Sequence, residues 1–222
     1  MFVEESVWIS NALQKLEIKG ITPLLNIGSS TAHFREVEQA FINDNIFKKI
    51  INKGVKVIHT DLQEDEGVDL VGDLVDTNFI NTLKELKFNC IICSNLLEHL
   101  EEATRIKICK VLNEILEING YLVLTVPYIY PYHEDPIDTW YRPNLKELAD
   151  CFPSFKIVEQ SLVLSHLSYF DELKRRPKNL VMSFIKLLMP FYKYNQWIND
   201  VKYFPNWFTK YKVSCVLLQK NI

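Results

Sequence analysis

Glycine is scarce in this chain, six residues in 222 with none after Gly120. A dinucleotide-binding loop places three glycines at fixed spacing so that backbone can approach a pyrophosphate, and the loop here does not have them. Cysteine is no richer: Cys90, Cys93, Cys109, Cys151 and Cys215 are odd in number and scattered, which fits reduced thiols rather than a disulfide framework. Positive charge is not in excess. With 25 Lys and Arg against 28 Asp and Glu, a net charge of -3 and a pI near 6.0, a general nucleic-acid binder is not expected. Met1 to Glu5 lacks a basic region followed by an apolar core, so no secretory signal is read and a cytoplasmic protein is expected. Internal repeats and low-complexity linkers are absent as well.

What is present is enough apolar residue, 48%, to bury a core as one domain over 1–222. Apolar runs alternate with amphipathic stretches from Leu24 to about Val126, the pattern of a parallel sheet with crossover helices, an α/β fold. Strands are expected near 23–27, 55–59, 68–71, 88–93 and 121–126. An N-terminal helix is expected within 1–20, from Glu4 to Ile18, burying Val7, Trp8, Leu13 and Leu16. A second runs from Glu101 to Glu117, stopped by Asn119-Gly120. Phe34 to Lys53 has room for two helical pieces. Late strands are expected at 155–160 and 211–218, with a helical, basic and aromatic insertion over 165–208 between them. Cys90 and Cys93 form a CxxC inside an apolar run, where residues three apart point to opposite faces and cannot chelate together.

Chemistry gathers first at Pro23-Leu24-Leu25-Asn26-Ile27-Gly28-Ser29-Ser30, an apolar run ending in a small-residue turn. Two acidic stations follow, Asp61 after the next apolar run and Asp73 after Val68 to Gly72. A carboxylate just past a strand can accept both hydroxyls of a ribose, and a later one can accept from an adenine amine. Carboxylates would repel phosphate. The ligand so described is a nucleoside without a pyrophosphate.

From the fourth expected strand onward the chain resembles the class I S-adenosylmethionine-dependent methyltransferases. The residues that carry this are Ile91-Ile92-Cys93-Ser94-Asn95-Leu96-Leu97-Glu98-His99-Leu100 and Asn119-Gly120-Tyr121-Leu122-Val123-Leu124-Thr125-Val126-Pro127. It is similar in particular to a subgroup with a Pro-Tyr-His, Pro-x-Asp, Arg-Pro loop after strand five, here Pro131-Tyr132-His133, Pro136-Ile137-Asp138 and Arg142-Pro143. The resemblance spans roughly 20–165. It implies a Rossmann-like seven-stranded sheet, helices on both faces, and a last strand that is antiparallel and inserts between strands five and six. It implies S-adenosyl-L-methionine as cofactor, with Asn26, Gly28, Ser29 and Ser30 under the methionine part, Asp61 at the ribose, Asp73 and Leu74 at the adenine, and Ser94 and Asn95 bordering the methyl. Asn26 stands where an acid is usual, and Ser30 and Ala32 where further glycines are common.

Methyl transfer is an in-line displacement that needs alignment and desolvation, and a base only when the nucleophile must lose a proton. His133 is the expected base, Asp138 its orienter or a partner for a substrate hydroxyl, and Arg142 a holder of an anionic group. Tyr128 and Tyr132 are expected at the substrate as aromatic walls suited to sugar rings. The bland alternative is a rigid Pro-rich lid. Glu98 and His99 read as a cap and a packed side chain. With His133 they have the residue types to hold a divalent cation, as some methyltransferases do near this point, but a fuller set wants an acid at Asn95 and no metal is assigned. In the insertion, Lys174-Arg175-Arg176 precede an apolar stretch to Trp197 whose Pro190 and lysines oppose a membrane span. Its expected role is a docked helix acting as substrate lid or homodimer surface, with an interfacial helix on anionic lipid as the alternative. The reading is thus an enzyme methylating a small-molecule or glycan-like acceptor at oxygen or nitrogen. The other readings are a cofactor-binding protein without turnover, or a peripheral membrane methyltransferase.

Overall fold

The computed structural model describes residues 1–133, 137–191 and 193–221. Pro136 of the loop motif lies outside them. The strands are β1 (Leu24–Ile27), β2 (Val57–Asp61), β3 (Leu70–Val71), β4 (Phe88–Ser94), β5 (Leu116–Ile129), β6 (Phe155–Ser168) and β7 (Lys210–Lys220). They form one sheet in the order β3-β2-β1-β4-β5-β7-β6. The pairs from β3 through β5 are parallel, and β7 runs antiparallel to both β5 and β6. This is the methyltransferase-type sheet that the resemblance implies. Strand order reverses between β1 and β4, and the crevice outside the carboxyl ends of strands at such a switch point is where open α/β sheets bind ligands.

The helices are α1 (Val3–Gln14), α2 (Lys48–Ile51), α3 (Thr77–Glu85), α4 (Glu102–Ile115), α5 (Leu145–Asp150), α6 (Tyr169–Arg175), α7 (Pro177–Leu187) and α8 (Tyr194–Tyr203). Because both faces of the central strands are covered, their apolar runs split by alternation into two cores. Leu25, Ile27, Ile91, Leu122 and Leu124 pack with Leu83, Val111 and Leu112 from α3 and α4 on one face. Leu24, Ile92 and Val123 pack with Ile9, Leu13 and Ile50 from α1 and α2 on the other. Each of these buried aliphatics contributes about 1.5–3 kcal/mol. Cys93 belongs to the first core and Cys90 to the second, so strand geometry does separate the CxxC pair. Burial raises both thiols.

Local boundaries differ from expectation in instructive ways. α1 stops at Gln14, and its buried stripe is Glu5, Ser6, Ile9, Ser10, Ala12 and Leu13; Val7 is exposed, while Trp8 and Leu16 are half-buried at the edge. Three of those buried residues are polar, which an apolar-face reading cannot find. α4 ends at Ile115 and Leu116 is already extended, so Asn119-Gly120 is not a helix stop but an irregularity within β5. Asn119 sits at φ +65, and a Cβ on Gly120 would lie 2.8 Å from the Glu117 carbonyl. β3 is only two residues long, pairing Thr60 with Leu70 and Asp61 with Val71 at the tip of β2.

Between β6 and β7, α6 to α8 gather on a small cluster of Leu173, Tyr203 and Trp207, joined by Leu180 and Leu187. The docked face expected of this insertion is therefore only one stripe. Leu188 is 80% exposed, and Val181, Met182 and Ile185 are also exposed. Among the described residues no helix is long and apolar enough to cross a membrane.

Candidate functional site

A cleft of about 690 Å³ opens at the carboxyl ends of β1, β2, β4 and β5. Its first wall is the turn after β1. Gly28 adopts φ +63, which an L side chain rarely tolerates, and Ser30 follows at φ +54. That turn is held from two sides. Asp61, at the end of β2, accepts from Ser30 N at 2.8 Å and from Leu62 N at 2.7 Å. The buried Arg35 guanidinium donates to the carbonyls of Ser29 (2.9 Å), Ser30 (2.5 Å) and Gly67 (2.7 Å), tying the β1 turn to the β2–β3 connection. Asn26 is buried and its amide nitrogen lies 3.1 Å from His59 Nδ1. Burial, with Arg35 nearby, pushes His59 down to about 4, so its ring is neutral and Nδ1 accepts. Phe34 and Arg35 lie in a π-type turn, Phe34–Glu38, which brings both into the cleft wall.

The second wall rises from the ends of β4 and β5. Asn95, at φ +50, donates from Nδ2 to Glu5 Oε1 at 2.8 Å, and Thr125 Oγ1 donates to the same oxygen at 2.6 Å. The other Glu5 oxygen accepts from Phe2 N at 3.1 Å. Glu5 is thus a fully buried carboxylate with three donors, and it brings Met1 and Phe2 of the N-terminal segment into the cleft.

Beyond Asn95 stand Glu98, His99 and His133. Glu98 is fully buried and neither carboxyl oxygen has a hydrogen-bond partner. Burial pushes its pKa up to about 8, opposed by its own backbone N–H and by Arg142 and helped by Glu5 and Asp138, and no other residue supplies a hydrogen bond. His99 Nδ1 lies 2.6 Å from the Ile137 carbonyl. His133 Nδ1 lies 3.1 Å from Asp138 Oδ2, and Asp138 in turn takes both ends of the Arg142 guanidinium, at 3.1 and 2.5 Å. Burial disfavours the Asp138 charge, but the hydrogen bonds from His133 and Arg142 outweigh it and hold the carboxyl well below its usual range. Asp138 therefore bonds both the His133 ring and the Arg142 guanidinium.

Of the expected site residues, Asn26, Gly28, Ser29, Ser30, Asp61, Ser94, Asn95 and His133 all line this one cleft. Others do not reach it. Asp73 closes its own turn by accepting from Val75 N, and Leu74 is buried in the core, because two-residue β3 ends too early to carry them to the rim. Gln63, Asp65 and Val68 form the wall there instead. Tyr128 gives way to Pro127 and Tyr130, where the pairing of β5 with β7 shifts register between Pro127 and Ile129. Tyr132 lines a separate pocket with Lys193 and Tyr194. Arg142 is spent on Asp138 and on the carbonyls of Pro131 and Tyr141, so it is not placed to grip a substrate anion. Sequence reasoning missed Glu5, Arg35 and Tyr130 altogether. The one available signal was an acid, Glu5, on the buried side of an amphipathic helix.

No family model matches the chain, and no curated protein sequence does. Solved structures do. A candidate methyltransferase from Bacillus halodurans C-125 superposes with a TM-score of 0.57 at 14% identity, covering 96% of this chain and 99% of that one. A SAM-dependent methyltransferase from Archaeoglobus fulgidus gives 0.51 at 14% identity, over 97% and 94%. Coclaurine N-methyltransferase, solved with N-methylheliamine and SAH, gives 0.52 at 14% identity, over 96% and 69%. At these identities the likeness is one of fold, the Rossmann-like fold of methyltransferases.

Proposed function

We propose that the chain is an S-adenosylmethionine-dependent methyltransferase acting on a small-molecule or glycan-like acceptor at oxygen or nitrogen. The observation that carries this is the convergence of Asn26, Gly28 to Ser30 and Asp61 with Ser94, Asn95 and His133 on a single cleft at the switch point. The cleft fits a nucleoside without phosphates. Arg35, its one Lys or Arg among the described residues, is tied to three backbone carbonyls, and Asp61 keeps lone pairs beyond the two used by Ser30 and Leu62. Bound there, the cofactor supplies an electrophilic methyl group on a sulfonium.

In this reading Asp61 accepts the ribose hydroxyls, and Gln63, Asp65 and Val68 take the adenine edge in place of Asp73 and Leu74. Gly28 lets the turn lie against the methionine portion without a side chain between. Asn95 and Ser94 shape the passage between the two halves of the cleft. His133 takes the acceptor's proton: with Nδ1 bonded to the Asp138 carboxylate, Nε2 is its free lone pair, and Asp138 stabilises the imidazolium that results. Glu5, by covering the ends of β4 and β5, excludes water from that side.

Transfer of labelled methyl from S-adenosylmethionine to components of cell extracts tests the reading. Turnover should fall about 100-fold in His133→Ala with affinity for S-adenosylhomocysteine unchanged. Equal turnover in both proteins removes His133 from the role. One observation favours the alternative of cofactor binding without turnover: Asn26 replaces an acid and its amide nitrogen is already bound to His59. Cofactor affinity with no acceptor labelled in any extract would establish that reading.

A further inference from the structure

We infer that Glu98, His99 and His133 form a receptor for a protonated amine, so that the methyl acceptor is a primary or secondary amine rather than an alcohol or an acid. The inference takes its catalytic meaning from the methyltransferase reading, but the binding preference stands on its own geometry. Glu98 lines the cleft, is fully buried, and has both carboxyl oxygens without a partner. Leaving such a group unmet is costly, and a donor brought in by a ligand relieves it.

The two imidazoles point to the same ligand. Each has Nδ1 engaged by an acceptor, the Ile137 carbonyl for His99 and the Asp138 carboxylate for His133, so in each neutral ring Nε2 is left as a lone-pair acceptor. One nitrogen of each ring and one oxygen of Glu98 all lie within 4.8 Å of one another. With Glu98 ionised three acceptors converge, and a cation seated among them displaces the proton that burial keeps on Glu98 in the empty protein. A ligand that answers all three is a cation, either an ammonium with its N–H groups or a metal ion.

The surroundings favour the ammonium. Three hydrogen bonds of about 2.9 Å around one nitrogen set acceptors about 4.7 Å apart, whereas a tetrahedral metal with bonds of about 2.1 Å draws them to about 3.4 Å. Glu98 Oε1 and His99 Nε2 are 3.9 Å apart, between the two spacings, so the surroundings decide. Phe2 and Tyr130 line the same cleft, with Tyr130 and His133 ring centroids 5.0 Å apart and Phe2 and Tyr130 5.7 Å apart. Aromatic faces attract an organic cation through its alkyl and N–H groups, and a metal makes no use of them. Arg142 donates to Asp138 and reaches Glu98 only through its charge, so the Glu98 oxygens keep room for a ligand's donors. Once seated, the ammonium passes one proton to His133, which leaves the nitrogen lone pair free to act as nucleophile.

Binding calorimetry on the wild-type protein, with and without S-adenosylhomocysteine, tests this using matched probes: benzylamine against benzyl alcohol, ethylamine against ethanol, and Co²⁺ alone. At least one amine should bind tenfold or more tightly than its alcohol partner, and Glu98→Gln should reduce that ratio to about threefold or less. Amines that bind no better than alcohols overturn the inference, whether or not the variant folds, since the contrast is read on wild type. Co²⁺ binding with a tetrahedral absorption band that Glu98→Gln abolishes, without amine preference, overturns it in favour of a metal site. Amine preference in a protein that transfers no methyl group would sink the methyltransferase reading and keep this one, and turnover on alcohols alone would do the reverse.

Discussion

The two halves of the cleft are finished to different degrees. On the β1–β2 side the groups that brace the turn have partners within the protein: Asp61 holds Ser30 and Leu62, Arg35 holds three carbonyls, Asn26 holds His59, and the neutral amide oxygen of Gln39 is left without one. On the β4–β5 side Glu98 has none, and two imidazoles present lone pairs toward it. The first half is built to receive a ligand without rearranging, and what it gains on binding is mostly the ligand's own hydrogen bonds. The second half carries an unmet requirement, which destabilises the empty protein and rewards a ligand of one charge. Rigidity and selectivity are thus separated in space, as they need to be if one half holds the same cofactor at every turnover and the other must discriminate.

The sharpest way to break this contrast is to remove the Glu98 charge. Its folded-state pKa, about 8, lies above the ordinary value of 4.5 because of burial. An acid raised in this way costs nothing at pH below its unfolded value, and it withdraws stability as pH climbs from about 4.5 toward 8. Glu98→Gln should therefore match wild type at pH 4 and exceed it at pH 9 by on the order of 5 kcal/mol. Denaturant melts across that range read the difference. Parallel pH profiles in the two proteins would mean that Glu98 is solvated or paired in solution, and the halves would no longer differ.

Asp61 tests the other half, with a smaller effect in the opposite direction. Asp61→Ala removes an ionised acceptor of two ribose hydroxyls and should weaken S-adenosylhomocysteine by about 1.5–3 kcal/mol in calorimetry. Because the carboxylate also anchors the Ser30 amide, Asp61→Asn, which keeps one acceptor oxygen, should fall between. Affinity unchanged in both variants would remove Asp61 from the ribose.

What could be read beforehand and what could not follow from where each bond goes. The strands were legible because alternation along a run reports which face is buried: Leu24 and Leu25, or Cys90 and Cys93, separate as two cores require. Gly28 and Asp61 were legible because they stand at the ends of such runs. Glu5 was not, since its partners Asn95 and Thr125 lie 90 and 120 residues away and only the assembled sheet brings them together. Arg142 was misread for a related reason. A guanidinium in a site-forming loop suggests an anionic substrate, but Asp138, four residues earlier, claims it first. Asp73 and Leu74 failed on length: a strand of two residues leaves them short of the rim, which no periodicity over so few positions can show.

The smallest effect expected belongs to Arg35, and it asks whether the finished half is rigid for the cofactor's sake or only for the fold's. Arg35 bridges the β1 turn and the β2–β3 connection through Ser29, Ser30 and Gly67. The turn needs such a brace because Ser30 is held at φ +54, a conformation unfavourable for a residue with a Cβ by about 1–2 kcal/mol. Gly67 fits beneath it at φ +78, where a Cβ would come 2.8 Å from the Arg35 Nη2 atom. Lysine has a point charge in place of a planar fork and cannot reach all three carbonyls at once. Arg35→Lys should therefore cost about 1–2 kcal/mol of stability. If the brace preorganises the turn, affinity for S-adenosylhomocysteine should drop as well, by about 3- to 10-fold, because the ligand must then order a loop that was already ordered. A fall in melting temperature with affinity intact would assign Arg35 to the scaffold alone, and the cofactor half would owe its readiness to Asp61 and Gly28.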